Sequence, residues 1–156
     1  MAELQTSAAG VSADDMSKTP WHLWTVGVLS LLWNAVGAFD YTMTQTHNES
    51  YMANFTAEQL EYFYEFPAWV VFFWALAIWG SIAGSVLLLL RNRWAVEAFL
   101  VSMVSMFITF IYNYGLSNGM EVMGGTGSLI FTLVIVIVAI LLYIYSKKMR
   151  TKGVIG

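Results

Sequence analysis

Six side chains that could bind a small polar molecule lie within or beside long apolar stretches of this sequence. Asn34 falls about 20 Å above Trp21 if the first stretch is a helix rising 1.5 Å per residue. The same arithmetic puts Thr109 about 22 Å above Trp94, at a similar depth. Indole faces can stack on a sugar while amides bind its hydroxyl groups. We therefore predict a neutral solute site formed by Asn34, Asp40, Trp74, Trp79, Thr109 and Asn113.

Two of these residues allow another interpretation. Asp40 has no cation near it in the sequence, so it is either a boundary residue or a carboxylate that holds a proton or a ligand. Asn34 lies in a seam of small and polar residues spaced three and four apart, and such seams let helices pack closely in lipid. The seam consists of Gly27, Ser30, Asn34, Gly37 and Tyr41, and a second one of Ser102, Ser105, Thr109 and Tyr112.

A separate set of residues has the chemistry of a metal site. Thioether and imidazole ligands suit Cu(I), and the sequence supplies them near its loops at Met43, His47, Met120 and Met123. Methionine also serves as flexible hydrophobic filling, and the spacing matches no established metal motif. We therefore predict no bound metal and no cofactor.

The composition indicates whether water or lipid surrounds the fold. Hydrophobic residues make up 58% of the 156 residues and charged residues 11%, whereas soluble domains carry about a quarter charged residues. Most side chains must therefore face lipid. The net charge of -3 argues against a nucleic-acid partner, and the lack of cysteine excludes disulfides and thiolate chemistry. No motif places a nucleophile beside a base, so we predict that the protein is not an enzyme.

Four apolar stretches are long enough to cross about 30 Å of hydrocarbon as helices. We predict an all-α integral membrane protein, an up-down bundle with spans at about 21–42, 67–90, 94–115 and 126–146. Thr56 and Gln59 have the spacing of a capping box, which predicts a short amphipathic helix over residues 57–66. Residues 1–19 are expected to form a flexible tail, and residues 147–156 a basic one.

Lysine and arginine mark the cytoplasmic side of short loops in membrane proteins. With four spans, the two tails and the turn between the second and third spans share one compartment. Those segments contain all 7 such residues, namely Lys18, Arg91, Arg93, Lys147, Lys148, Arg150 and Lys152. We predict that both termini are cytoplasmic, that the loops at about 41–66 and 116–127 face outward, and that the protein lies in a bacterial inner membrane.

Two contacts are predicted from spacing alone. Glu97 follows Arg93 by four residues, which indicates an ion pair on one helix face at the cytoplasmic interface. Gly80 and Gly84 form a G-x-x-x-G step, which implies close contact between helices. A parallel ridge of small residues accompanies this step, formed by Ala77, Ser81 and Ser85. The sequence leaves open whether this contact lies within one chain or across a homodimer.

Two longer segments carry a resemblance. One runs from Thr19 to Met52 and contains LWNAVGAFDYTMTQT, and the other runs from Phe66 to Met106 and contains WGSIAGSVLLLLR. Both resemble a group of small four-span proteobacterial membrane proteins that are often labelled sugar transporters. The resemblance implies a four-helix membrane fold and a role in sugar transport, and it assigns no residue a function.

These features lead to two functional hypotheses. The first is binding or transport of a small neutral, sugar-type solute by a homo-oligomer, since four helices are few for two halves that rock around a midplane site. The second is an accessory or assembly subunit of a larger membrane protein complex, indicated by the scarcity of charge within the spans and by the ridges of small residues. Both place the protein in a lipid bilayer.

Overall fold

The computed structural model describes residues 19–156, and all regular structure in this range is helical. The tail predicted over residues 1–19 lies outside this range except for Thr19. In chain order the elements are α1 (Trp21–Gln45), α2 (Glu49–Met52), α3 (Ala57–Tyr64), α4 (Ala68–Leu89), α5 (Ala95–Ile111), a π-helical segment (Tyr112–Leu116), α6 (Gly119–Val122) and α7 (Thr126–Thr151).

Four helices are long and apolar enough to cross a membrane, which confirms the predicted multi-pass membrane class. They are α1, α4, α5 continued by the π-helical segment, and α7. α1 continues to Gln45 and α7 to Thr151, beyond the predicted ends of these spans. Hydropathy marks where lipid ends, whereas threonine, lysine and arginine can continue a helix into water. Pro20 and Pro67 precede α1 and α4, where a missing N–H costs nothing.

The long helices pack in a row. α4 contacts α1 on one side and α5 on the other, and α5 in turn contacts α7. α1 and α7 therefore flank the row, and both expose many apolar side chains, including Leu32 and Val36 of α1 and Ile130 and Ile137 of α7. Apolar side chains on the outside are expected where lipid is the solvent.

We call one end of the row the basic end, because it contains Arg91, Arg93 and the cations from Lys147 to Lys152. At this end the first and last helices of the row also contact each other, because His22 Nδ1 of α1 lies 2.6 Å from the Tyr145 hydroxyl of α7. The main apolar core lies at this end and comprises Leu23, Leu88, Ala95, Val96, Phe99, Leu142, Met149 and Ile155.

After α7 the chain turns back onto the α4–α5 turn. The amide of Gly156 donates to the Arg91 carbonyl at 3.0 Å, and the Arg91 guanidinium Nε donates to the Val154 carbonyl at 3.1 Å. Ile155 is only 1% exposed within the core. The segment predicted as a basic tail thus continues α7 to Thr151 and then packs against the turn.

Glu97 forms its ion pair with Arg150 of α7, which corrects the pairing with Arg93 predicted from spacing. The reason is that α7 extends past the apolar span and brings Arg150 alongside the first turn of α5. Arg93 instead places its guanidinium 5.8 Å from the centre of the Trp94 ring. The second carboxylate oxygen of Glu97 is buried without a hydrogen-bond partner among the described residues.

We call the opposite end the acidic end, because its side chains include Asp40, Glu49, Glu58, Glu61, Glu65 and Glu121. α3 begins with a capping box in which Thr56 and Gln59 each accept a hydrogen bond from the other's backbone. The elements of this end meet through aromatic edge contacts, for example Phe66 with Tyr112 at 5.7 Å and Trp74 with Tyr41 at 5.0 Å. Few aliphatic side chains are buried here.

Candidate functional site

Asn34 joins α1 to α4. Its side-chain amide donates to the Ser85 hydroxyl at 3.0 Å and lies 3.3 Å from the Ser81 carbonyl. Ser85 is fully buried, and its hydroxyl donates in turn to the Ser81 carbonyl at 2.9 Å. The three residues thus form a small hydrogen-bond network between two membrane helices, which is the packing role that the sequence left open.

The rest of the α1 seam also faces α4. A Cβ added at Gly27 would lie 2.5 Å from Leu89, and one added at Gly37 would lie 3.2 Å from Ile78. Tyr41, at the top of the seam, contacts Trp74 of α4 edge to face. Seam residues therefore permit close approach of the two helices.

The α5 seam and the glycine step of α4 meet each other within this chain. The Ser102 hydroxyl donates to the Ala77 carbonyl at 2.6 Å, and a Cβ at Gly80 would lie 3.2 Å from the Ser102 Cβ. Gly84 faces the ring of Phe99, which a Cβ would approach to 2.8 Å. The G-x-x-x-G step thus packs within the chain, which resolves the alternative that the sequence left open.

Asp40 has a tyrosine as its partner. The Tyr51 hydroxyl of α2 donates to the Asp40 carboxylate at 2.5 Å, so the loop after α1 folds back onto the end of that helix. Burial raises the pKa of Tyr51 to about 12, and the hydrogen bond and the charge of Asp40 act in the same direction. A charge-assisted hydrogen bond of this kind holds α2 against α1.

The two tryptophans of the predicted site lie in different surroundings. Trp74 is half-buried among aromatic rings at the acidic end, where it contacts Tyr41, Phe63 and Phe66. Trp79 is 51% exposed on the outside of the row. The depth argument brought the two together, but the helix faces that they occupy are different.

Thr109 and Asn113 belong to a network centred on Tyr62. Thr109 donates to the Met106 carbonyl of its own helix at 2.8 Å, and the Asn113 amide donates to the Thr109 carbonyl at 2.8 Å. The Tyr62 hydroxyl of α3 donates to Asn113 Oδ1 at 2.8 Å and lies 2.7 Å from the Ser117 hydroxyl. Burial raises the pKa of Tyr62. This network fastens the loop helix α3 to the end of α5.

The π-helical segment was not predicted from the sequence. Its wide turn points successive side chains in different directions, so that Asn113 reaches Tyr62 while the Tyr114 hydroxyl lies 2.8 Å from Thr132 and 3.1 Å from Ser128 of α7. Tyr114 and Ser117 are the functional candidates that sequence reasoning missed. Their spacing carries no signal, because Tyr114 has its partners on α7 and Ser117 meets Tyr62 of α3.

The four residues with copper-binding chemistry lie on separate elements. Met43 belongs to α1 and His47 follows it, whereas Met120 belongs to α6 and Met123 ends that helix. The His47 ring stacks on the Tyr64 ring with 4.2 Å between centres. Among residues 19–156 no three His, Cys, Asp or Glu side chains form a group that could hold a metal ion.

An open cleft of about 570 Å³ lies at the acidic end between the π-helical segment and α7. Its lining consists of Ser117, Asn118, Met120, Glu121, Gly125 and Thr126. None of the six residues of the predicted solute site lines it. Ser117 is shared by the cleft and by the Tyr62 network.

Three of the predicted site residues fasten one element of the fold to another. Asn34, Asp40 and Asn113 each bind a side chain of a different element, at distances of 2.5 to 3.0 Å. No family model, curated protein or solved structure matches this chain.

Proposed function

We propose that this chain is a non-enzymatic accessory or assembly subunit of a larger membrane protein complex. The observation that supports this proposal most strongly is that polar side chains within the spans bind neighbouring helices. Asn34 binds Ser85 across the α1–α4 contact and Ser102 binds Ala77 across the α4–α5 contact. Such bonds fix three helices relative to one another, which suits a scaffold.

The flanks of the row support the same proposal. α1 and α7 each contact the row mainly through one neighbour and present apolar side chains on their other faces. In a membrane these faces are covered by lipid or by another transmembrane protein.

The proposed orientation places the basic end in the cytoplasm of a bacterial inner membrane, with both termini there. Among the described residues the side chains of the acidic end carry six carboxylates and no lysine or arginine, as expected for outward loops. The amphipathic loop helix, predicted over residues 57–66, is then on the outer side. A reporter fused after Gly156 should be active only in its cytoplasmic form, and periplasmic activity there would overturn this orientation.

The experiment that tests the subunit role is native mass spectrometry of the protein extracted gently from its own membrane. We expect a stoichiometric complex with other membrane proteins. A homodimer or homotrimer without foreign subunits would contradict the proposal. The same measurement is made on the variant Asn34→Leu, which should weaken the complex because it loosens α1 from α4. Trp79→Phe, at an exposed position, is the matched control and should leave the complex intact.

A second function, binding of a small neutral solute by a homo-oligomer, is favoured by the cleft at the acidic end. The cleft offers a carboxylate, an amide and hydroxyl groups, the donors and acceptors that a sugar requires. This role agrees with the resemblance to proteins labelled sugar transporters, but it moves the site from Asn34 to the cleft.

Calorimetric titration with neutral sugars tests the second function. Glu121→Gln should weaken binding about tenfold, as expected for one charge-assisted hydrogen bond of about 1.5 kcal/mol. Glu58→Gln on α3 lies outside the cleft lining and should leave binding unchanged. Equal effects of both variants, or no binding of any sugar, would reject a solute site in this cleft.

A further inference from the structure

The basic end has a strongly one-sided charge. Among the described residues it contains six cationic side chains and one acidic one, Glu97. Glu97 pairs with Arg150, so five cations have no acidic partner. They are Arg91 and Arg93 in the α4–α5 turn and Lys147, Lys148 and Lys152 on and after α7, and all five are exposed.

The fold brings these two sequence segments together. Backbone and side-chain hydrogen bonds tie the segment after α7 to the α4–α5 turn, through Gly156 with Arg91 at 3.0 Å and Arg91 with Val154 at 3.1 Å. The Glu97–Arg150 ion pair adds a third tie between α5 and α7. The fold therefore brings the cations of both segments to the same end of the protein, and we call this set the basic patch: Arg91, Arg93, Lys147, Lys148 and Lys152.

The basic patch lies at the ends of two apolar spans, where the headgroups of a bilayer are expected. Arg91 comes directly after the apolar residues of α4, and Lys147 follows Ser146 at the end of the apolar part of α7. Exposed indole rings accompany it, with Trp21 77% and Trp94 57% exposed at the same end. Tryptophan at the boundary of a span is typical of the membrane interface.

Arg91 occupies an unusual backbone position. It follows the end of α4 with φ of 57°, in the left-handed region that glycine adopts most easily. A residue with a Cβ is strained in this conformation, because the Cβ approaches the following carbonyl oxygen. Among the described residues the Arg91 guanidinium donates to one protein acceptor, through Nε, and the residue is exposed.

We propose that the basic patch is a binding site for the headgroup of an anionic phospholipid. The guanidinium groups of Arg91 and Arg93 can each make two parallel hydrogen bonds to a phosphate, and the three lysines add charge around it. Each lysine or arginine near the membrane surface raises the affinity for anionic lipid about fivefold. This site is independent of the subunit and solute roles proposed above.

The test uses the full chain reconstituted in vesicles of equal parts phosphatidylglycerol and phosphatidylcholine, with retained lipids counted by native mass spectrometry. We expect phosphatidylglycerol to be retained at least about tenfold over phosphatidylcholine. Arg91→Gln with Arg93→Gln should bring this ratio near unity. Equal retention of the two lipids by the unaltered protein would overturn the proposal.

Further variants separate binding from folding. Lys147→Gln with Lys148→Gln changes two exposed side chains and should lower the ratio without disturbing the helical spectrum, even if the arginine pair proves necessary for folding. Glu58→Gln with Glu61→Gln alters two charges at the acidic end and should leave the ratio unchanged. This control makes the net charge more positive, so a matching rise in the ratio would show an effect of net charge alone and would overturn the proposal. Displacement of phosphatidylglycerol by inorganic phosphate would likewise overturn a lipid site.

Discussion

The basic and acidic ends of this molecule hold the same four helices by different forces. At the basic end aliphatic and aromatic side chains such as Leu88, Phe99 and Ile155 are at most 2% exposed, and the chain after α7 packs against this core. At the acidic end the contacts are hydrogen bonds from tyrosines and edge contacts between rings. The comparison teaches that close apolar packing fixes one end, whereas directional bonds fix the other.

The largest expected effect tests the packing of the basic end. Phe99→Ala should lower the free energy of unfolding by about 3 kcal/mol, because it leaves a cavity where a ring fills the space beside Gly84. Unfolding in SDS, monitored by circular dichroism, measures this loss. Phe107→Ala, at a position that is 37% exposed, should cost much less. Similar costs for both would remove the distinction between core and lipid-facing rings.

The next effect tests the tight contact at the acidic end. Gly119→Ala should cost about 2 kcal/mol, because the added Cβ would lie 2.5 Å from both the Asn113 carbonyl oxygen and the Tyr62 hydroxyl. At Gly115 the nearest neighbour of an added Cβ is the side chain of Ile111 at 3.9 Å, so Gly115→Ala should be tolerated. A tolerated Gly119→Ala would mean that α6 does not press on the network of Tyr62.

Removal of a single hydroxyl should have a smaller effect. Tyr62→Phe should cost about 1 kcal/mol, because Asn113 Oδ1 loses its donor while the ring is kept. Hydrogen exchange of the α3 amides should rise, since α3 is fastened to α5 through this hydroxyl. Tyr64→Phe is the matched control, because Tyr64 is 45% exposed and its stacking on His47 survives the change.

The hydrogen bond of Tyr51 predicts a dependence on alkaline pH. The folded pKa of about 12 lies above the ordinary value of 10.0, so the folded state holds this proton more tightly. The resulting stabilisation is fully present below pH 10 and is lost as the pH rises through about 12. Tyr51→Phe should remove this part of the alkaline loss in a thermal unfolding series. An unchanged alkaline profile in the variant would contradict the assigned bond.

Hydrophobic length predicted the four long helices, because the requirement to cross lipid is stringent and leaves few alternatives. The seams were also visible: Gly27 and Asn34 recur on one face, and that face contacts α4. Depth along a helix was less informative. It grouped Trp74 with Trp79, but depth alone does not determine which side of a helix faces a neighbour.

Partners distant in sequence explain what could not be predicted. Glu97 pairs with Arg150 rather than with Arg93, because α7 reaches it from another part of the chain. The π-helical segment depends on Tyr62 and on Thr132, which come from two other elements. Local spacing records neither relationship, and for the same reason it gave no indication of the cleft.

The central claim is that deep polar side chains fasten the helices to one another, and a double-mutant cycle tests it most directly. Asn34→Leu, Ser85→Ala and the double variant are compared by unfolding in SDS. Hydrogen bonds between membrane helices average about 0.6 kcal/mol and reach about 1.7 kcal/mol. We predict a coupling energy in this range, since the Asn34 amide donates to Ser85 at 3.0 Å. A coupling energy near zero would contradict the account.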